Sequence, residues 1–306
     1  MSRDMRELPK LRDSLSYIYV EHCKIDQDEK SISCHDEKGV VKIPCASLGV
    51  LLIGPGTSLT HAAVRALADN GCSAIWVGEE GVRFYAAGTG ETRHAGNLII
   101  QAKLASDPER RLEIARRMYA MRFGNDFDVK GKTLDELRGM EGVRVRAAYV
   151  SAGRDYNISW RGRKYDRGEW RQSDPINRAI SCANSCLYGI SHAAIVSCGL
   201  SPALGFIHTG KQLSFVYDVA DLYKVDITIP AAFSAVSSGT ADLEHRVRVG
   251  LRDRFRENRL LSRIVNDVHK MLGIEEIKHA PGDYDEDGAL PAPLWDEEEK
   301  DDSFHS

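Results

Sequence analysis

The stretch LLIGPGTSLTHAAVRALADNGCSAIWV, residues 51–77, decides the fold class. Its pattern predicts a strand, a helix of about ten residues closed by Gly71, and a second strand. Within it, GPGTSL (54–59) is part of a dinucleotide-binding fingerprint, and Glu79 follows the second strand near where a ribose-binding acid would stand. Leu59 replaces the third glycine and no further strand–helix–strand unit follows, so a tight structural turn is the better account of the glycines. A nucleotide-binding enzyme is kept as the alternative.

Upstream, from Leu15 to Ile53, short runs rich in Ile, Val and Tyr alternate with the turn clusters DQDE (26–29) and DEKG (36–39). These read as antiparallel strands and hairpins. Residues 1–96 are therefore expected to form a β-rich N-terminal domain with one helix, ending in the linker GTGETRHAG (88–96). Beyond it the signals turn helical. Ser106 with Glu109, and Thr133 with Glu136, have capping-box spacing, and Asp174-Pro175 is an N-cap followed by a first-turn proline. That last pair opens a long apolar helix that runs to Cys198 and stops at Gly199. Residues 97–280 read as an all-α domain, so the fold class is α+β. Residues 281–306, rich in proline and acid, read as a disordered tail.

With 306 residues, 42% of them hydrophobic, the chain can bury a sizeable core. It contains no run of roughly 18 uncharged apolar residues, and its charged start does not fit a signal peptide. A cytoplasmic protein with no membrane partner is expected. Seven cysteines without CxxC spacing fit reduced thiols in a core. Cys182 and Cys186 share a helix face, but His192 and Cys198 point away from it, which argues against a zinc set.

The net charge of −4 hides an uneven distribution: residues 281–306 carry −9 and residues 97–280 carry +7. The helical part is thus basic, and its basic residues are grouped. RGRKYDRGEWRQ (161–172) interleaves five Lys or Arg, Arg163 among them, with Tyr165 and Trp170. HRVRVGLRDRFRENR (245–259) sets Arg248, Arg252 and either Arg256 or Arg259 on one stripe. Arginines neutralise phosphates and aromatic rings stack on unpaired bases, so a polyanion such as DNA is favoured over a merely solvated surface.

GFIHTGKQLSFVYDVADLYK (205–224) sets His208, Lys211, Asp218 and Asp221 in an otherwise apolar and aromatic segment. Ionised carboxylates are costly to bury unless paired or bound to a metal. At i and i+3 the two aspartates project from one side of a helix, which describes either a wet helix face or a site. In TLDELRGMEGVRVRAAYV (133–150), Glu141 shares a face with Leu137, Arg138 and Val145; it is either a half-buried acid or a surface glutamate paired with Arg138. One Glu, one His and one or two Asp make a mixed oxygen and nitrogen set suited to Mg²⁺ or Mn²⁺. Such an ion can polarise a phosphodiester. Spacing alone does not bring Glu141 to His208.

The segments LIGPGTSLTHAAVR, QAKLA, LRGMEGVRVRAAY, SCLYGISHAAI and GFIHTGKQLSFVYDVADLYK together resemble the CRISPR-associated integrase, the catalytic subunit of the spacer-acquisition complex, and its subtype I-E members most of all. The resemblance covers residues from about 11 to 280. It implies a β-rich N-terminal domain and an α-helical catalytic domain. It implies a metal set of Glu141, His208 and Asp221, with Asp218 as an adjacent catalytic acid. The implied reaction joins the 3′-hydroxyl of a protospacer DNA, a duplex with 3′ single-stranded ends, to a phosphodiester at the CRISPR repeat; DNA cutting is also implied. By position, Arg138, Lys211, Tyr165 and Tyr217 match residues near the protospacer 3′ end, Arg248 matches a backbone contact, and His22 stands where an aromatic wedge splays the duplex. Implied partners are a second copy of the chain, as a homodimer, and a small ferredoxin-like CRISPR adaptation protein in a heterohexamer. A non-catalytic DNA-binding scaffold is the remaining alternative.

Overall fold

A computed structural model describes residues 17–79, 83–88, 95–124, 127–163 and 174–274. Tyr165, Trp170, most of the expected linker and the acidic tail lie outside these residues. Strands and helices up to Ile274 belong to one compact unit.

The run VLLI overlaps the start of the decisive stretch. It forms β5 (Val50–Ile53), a strand buried along its whole length, as a central parallel strand should be. It lies between β1 (Tyr17–Val20) and β7 (Ser73–Val77), parallel to both, and β8 (Phe84–Gly88) closes this sheet antiparallel to β7. The second sheet has the order β4-β3-β2-β6, built from β2 (Lys24–Asp28), β3 (Ser31–Asp36), β4 (Gly39–Pro44) and the two-residue β6 (Ser58–Leu59). The expected hairpins occur in β2–β3–β4, with the first turn at Glu29–Lys30, a little later than the sequence cluster suggests. The purely antiparallel expectation needs correcting: β1 pairs parallel to β5 and β6 parallel to β2, because the chain crosses between two sheets.

Side chains alternate across β5 and so join two cores. Leu51 and Ile53 pack with Ile25, Ile32 and the helix α1 (His61–Asp69), while Val50 and Leu52 pack with the helices that follow the strands. The glycines of the GPG turn are explained by neighbours. Gly56 has φ +69°, and a Cβ there would lie 2.5 Å from His22 Nδ1; a Cβ at Gly54 would collide with the Tyr19 hydroxyl. β6 also intervenes before the helix, whose N-cap is Thr60. The turn is therefore occupied by the protein's own side chains, unlike a phosphate cradle opening directly into a helix.

The helical part comprises α2 (Gly96–Ser106), α3 (Pro108–Phe123), α4 (Leu134–Asp155), α5 (Pro175–Ser197), α6 (Ser214–Ala220), α7 (Ile229–Ser237), α8 (Leu243–Glu257) and α9 (Leu260–Leu272). The caps at Thr133 and Asp174 form as expected, the first with its reciprocal Glu136 bond. At the start of α3, however, Asp107 is the N-cap, and its carboxylate accepts from the backbone of Glu109 and Arg110; Ser106 instead ends α2. Proline at position 108 fixes the first helical residue and moves the cap one place later. α5 has the length and apolarity to cross a membrane, yet 67% of its most apolar window is buried inside the protein. It is the axis on which α6 to α9 pack.

Candidate active site

The loop before α6 and the short helix itself build one wall of the site. Gln101 of α2 is fully buried and donates to the carbonyls of Ser201 and Leu204 at 2.9 and 3.0 Å, while its side-chain oxygen accepts from Ser201 N at 2.8 Å. The chain then folds over Asp218. One carboxylate oxygen accepts the backbone N–H of Phe206 (2.6 Å) and Ile207 (3.0 Å), and the other accepts the N–H of His208 (2.9 Å) and faces its ring Nδ1 at 2.7 Å. Asp218 is 0% exposed, so the wet-face reading fails for it: the helix turns this side chain inward, where three backbone donors compensate its burial. Its role is to hold the loop and the imidazole. With Nδ1 engaged, Nε2 of the half-exposed His208 is left for an outside partner.

Asp221 caps α6, and the chain then widens into a π-helical turn over Lys224–Thr228. Pro230, in the first turn of α7, has no N–H to give to the preceding turn, a common cause of such widening. The turn lays Lys224 Nζ on Asp221 Oδ1, and Arg122 Nη1 lies 3.8 Å from Oδ2. Burial opposes the charged form of Asp221, but Lys224 and Arg122 outweigh it and hold the carboxyl below its ordinary range. Burial also works against the Lys224 ammonium; Asp221 more than compensates and raises it.

On α4, Glu141 pairs with Arg144 at 3.7 Å, while Arg138, its expected surface partner, bonds to Asp135 and to the Ile207 carbonyl. Burial pushes the Glu141 carboxyl upward; Arg122 and Arg144 oppose the shift and Asp221 adds to it. Arg138, one turn before Glu141 on α4, donates to the Ile207 carbonyl at 3.0 Å, so this part of α4 packs beside the loop that carries His208. The three side chains are not drawn onto one point: among the described residues no group of three or more His, Cys, Asp or Glu stands at metal-ligand spacing. The zinc set is likewise absent there; His192 instead stacks on Phe84 with centroids 3.6 Å apart. A divalent ion nevertheless fits the donors. Glu141 Oε2 is buried without a hydrogen-bond partner, the Asp218 contact leaves His208 one ring nitrogen, and Asp221 supplies a second carboxylate.

A cavity of about 660 Å³ adjoins the site through Tyr188 and Tyr217, and its lining includes Arg83, Arg163 and Arg248. Tyr217 meets both Tyr188 and His208 edge to face. Arg163 is fastened to Asn177 and Ser181 at the start of α5. Lys211 is exposed beside the His208 loop. Arg252 lies on α8 beside Asp253, outside the cavity lining. Arg259 leaves the predicted stripe, since its left-handed backbone separates α8 from α9. His22 has a left-handed backbone too, donates its N–H to the Pro55 carbonyl and covers Gly56; it belongs to the β part, away from these contacts. Sequence reasoning missed Arg122, Arg144, Tyr188 and Lys224. Arg122 had a signal, being a cation inside the apolar run MYAMRF of α3.

A family model described as "CRISPR associated protein Cas1" matches residues 16–129 and 128–257. The chain is 50% identical over 295 residues to "CRISPR-associated endonuclease Cas1 2" of Thermus thermophilus, covering 96% of this chain and 90% of that protein. It is 40% identical over 286 residues to "CRISPR-associated endonuclease Cas1" of Escherichia coli K12, covering 93% of each. Among solved structures, the crystal structure of a TtCas1–DNA complex superposes with a TM-score of 0.81 at 53% identity, over 87% of this chain and 99% of that one. With its strand-rich first part, its helical second part and this extent of similarity, the chain belongs to the Cas1 family of CRISPR-associated proteins.

Proposed function

We propose that the protein is a DNA endonuclease and integrase of CRISPR adaptation that uses Mg²⁺ or Mn²⁺ held by Glu141, His208 and Asp221. One observation carries the metal assignment: a buried, unpartnered carboxylate oxygen on Glu141, one helical turn from the Arg138 contact with the His208 loop, where Asp218 fixes one imidazole nitrogen and leaves the other. DNA as substrate is supported by the arginine-lined cavity beside that site and by the similar TtCas1 chain solved with DNA.

The bound ion would polarise the phosphodiester and offset charge developing in an in-line displacement. The protein's residues do the rest. Asp218 keeps His208 in one orientation, Arg163 and Arg248 hold backbone phosphates, and Tyr217 and Tyr188 form a surface on which an unpaired base can stack. Lys211 and Arg138 flank the 3′ end, and the 3′-hydroxyl of the protospacer is the nucleophile: its oxygen bonds to the repeat phosphorus as the bond to the repeat's own 3′-oxygen breaks and that oxygen leaves as a hydroxyl, so no covalent enzyme intermediate is needed. The working assembly is a homodimer joined by a small ferredoxin-like adaptation protein into a heterohexamer in the cytoplasm. Incubation with that partner, a protospacer and a supercoiled CRISPR plasmid gives joined product that EDTA abolishes. If His208→Ala or Asp221→Ala joined DNA as well as the unaltered protein, the assignment would be wrong.

A further inference from the structure

Three acids of the site, Glu141, Asp218 and Asp221, stand among three basic side chains, Arg122, Arg144 and Lys224. The bases differ in freedom. Lys224 reaches Asp221 on a flexible four-carbon stem, with its ammonium 5.6 Å from the Tyr188 ring centroid, and can swing aside. Arg122 cannot. Its side chain is 2% exposed, its Nη2 donates to the Asp218 carbonyl at 3.0 Å, its guanidinium lies 5.0 Å from the Tyr119 ring centroid, and its Nε is buried without a partner. Arg144 reaches Glu141 only at 3.7 Å, and its Nη1 is otherwise a buried donor without a partner.

We infer that Arg122 and Arg144 are resident cations that hold the free site near charge balance, so that the divalent ion is taken up together with a DNA phosphate and not ahead of it. The inference rests on the metal reading given above. A dication entering a balanced, largely buried site leaves an excess of positive charge, which a low-dielectric environment penalises. The phosphodiester supplies the missing negative charge. By thermodynamic reciprocity, DNA then raises metal affinity by the factor by which metal raises DNA affinity. Without DNA the ion has little hold on the protein, which limits metal-loaded sites to those already engaged with substrate.

The test measures Mn²⁺ affinity of the full chain by electron paramagnetic resonance of free Mn²⁺. Each protein is read without DNA and with a splayed duplex whose 3′ ends lack the hydroxyl, after subtraction of Mn²⁺ held by the DNA alone. For the unaltered protein, DNA should tighten binding about tenfold or more. Arg122→Met and Arg144→Met should each tighten DNA-free binding about tenfold and shrink the gain from DNA. Arg122→Lys, which keeps the charge, should not tighten DNA-free binding. Arg144 is partly exposed, so its variant reports even if Arg122→Met fails to fold. DNA-free affinity that is unchanged or weaker in Arg144→Met overturns the inference, provided Glu141→Gln abolishes Mn²⁺ binding and so upholds the metal site. If Glu141→Gln and Asp221→Asn bind Mn²⁺ like the unaltered protein, the metal reading itself falls and takes the inference with it.

Discussion

His208 Nδ1 lies 2.7 Å from Asp218 Oδ1, and the same carboxylate gathers the backbone N–H groups of residues 206, 207 and 208. One buried acid thus fixes both the loop and the imidazole it carries. On the proposed metal reading, Asp218 acts through His208.

Replacing Asp218 by Asn keeps its shape but turns an amide N–H₂ toward backbone donors. Mn²⁺ affinity should fall about 10- to 100-fold, as for other altered carboxylate supports of a metal-binding histidine, and stability by about 1–3 kcal/mol. Titration of Mn²⁺ and urea unfolding of the variant check the two effects. Unchanged Mn²⁺ affinity would remove Asp218 from the positioning role.

Gly205 has no room for a side chain. A Cβ at this position would collide with the His208 carbonyl and lie 2.9 Å from Asp218 Oδ2 and from the backbone of Ser214. Rigid backbone cannot yield as a side-chain tip can, so Gly205→Ala should cost about 1–3 kcal/mol of stability. It should also lower strand joining while every proposed ligand remains in the sequence. Thermal unfolding and the joining assay read the two effects; a fully active, equally stable variant would show that the loop tolerates displacement.

The arginines of the cavity should act through phosphate charge. For Arg163→Ala and Arg248→Ala, the slope of log affinity for DNA against log salt should shrink by about one unit each, with little change in sequence preference. Fluorescence anisotropy across a salt series measures this. An unaltered slope would take that residue off the DNA path.

His192 gives a pH signature independent of catalysis. Burial lowers its imidazole from 6.5 to about 4 in the folded protein. Between those values the unfolded chain binds the extra proton and the folded chain does not, so stability is complete above pH 6.5 and is lost as pH falls toward 4. Urea midpoints should therefore decline over that window through this group, and His192→Phe, which preserves the stack on Phe84, should flatten the decline. An equal decline in the variant would assign it to other groups.

The fold was legible where local signals are strong. Thr133 and Asp174 announce α4 and α5, and the run LLI announces a strand. Strand direction was not legible, because the sheets exchange the chain through long-range pairings such as Tyr17 with Val50. In the site, the residues in GFIHTGKQLSFVYDVADLYK carried enough charge among apolar neighbours to attract suspicion. What each charge does depends on partners far along the chain. Asp218 becomes a buried clamp only because residues 206–208 fold over it, and Arg122 enters from α3 with no local mark beyond a cation in an apolar run.

The proposed binding of one divalent ion by Glu141, His208 and Asp221 is tested by an anomalous difference map from crystals of the protein grown with splayed duplex DNA and Mn²⁺. A peak is expected at about 2.0–2.4 Å from a Glu141 oxygen, His208 Nε2 and an Asp221 oxygen, with Lys224 withdrawn from Asp221. Mn²⁺ bound elsewhere, with Lys224 still seated on Asp221, would contradict it.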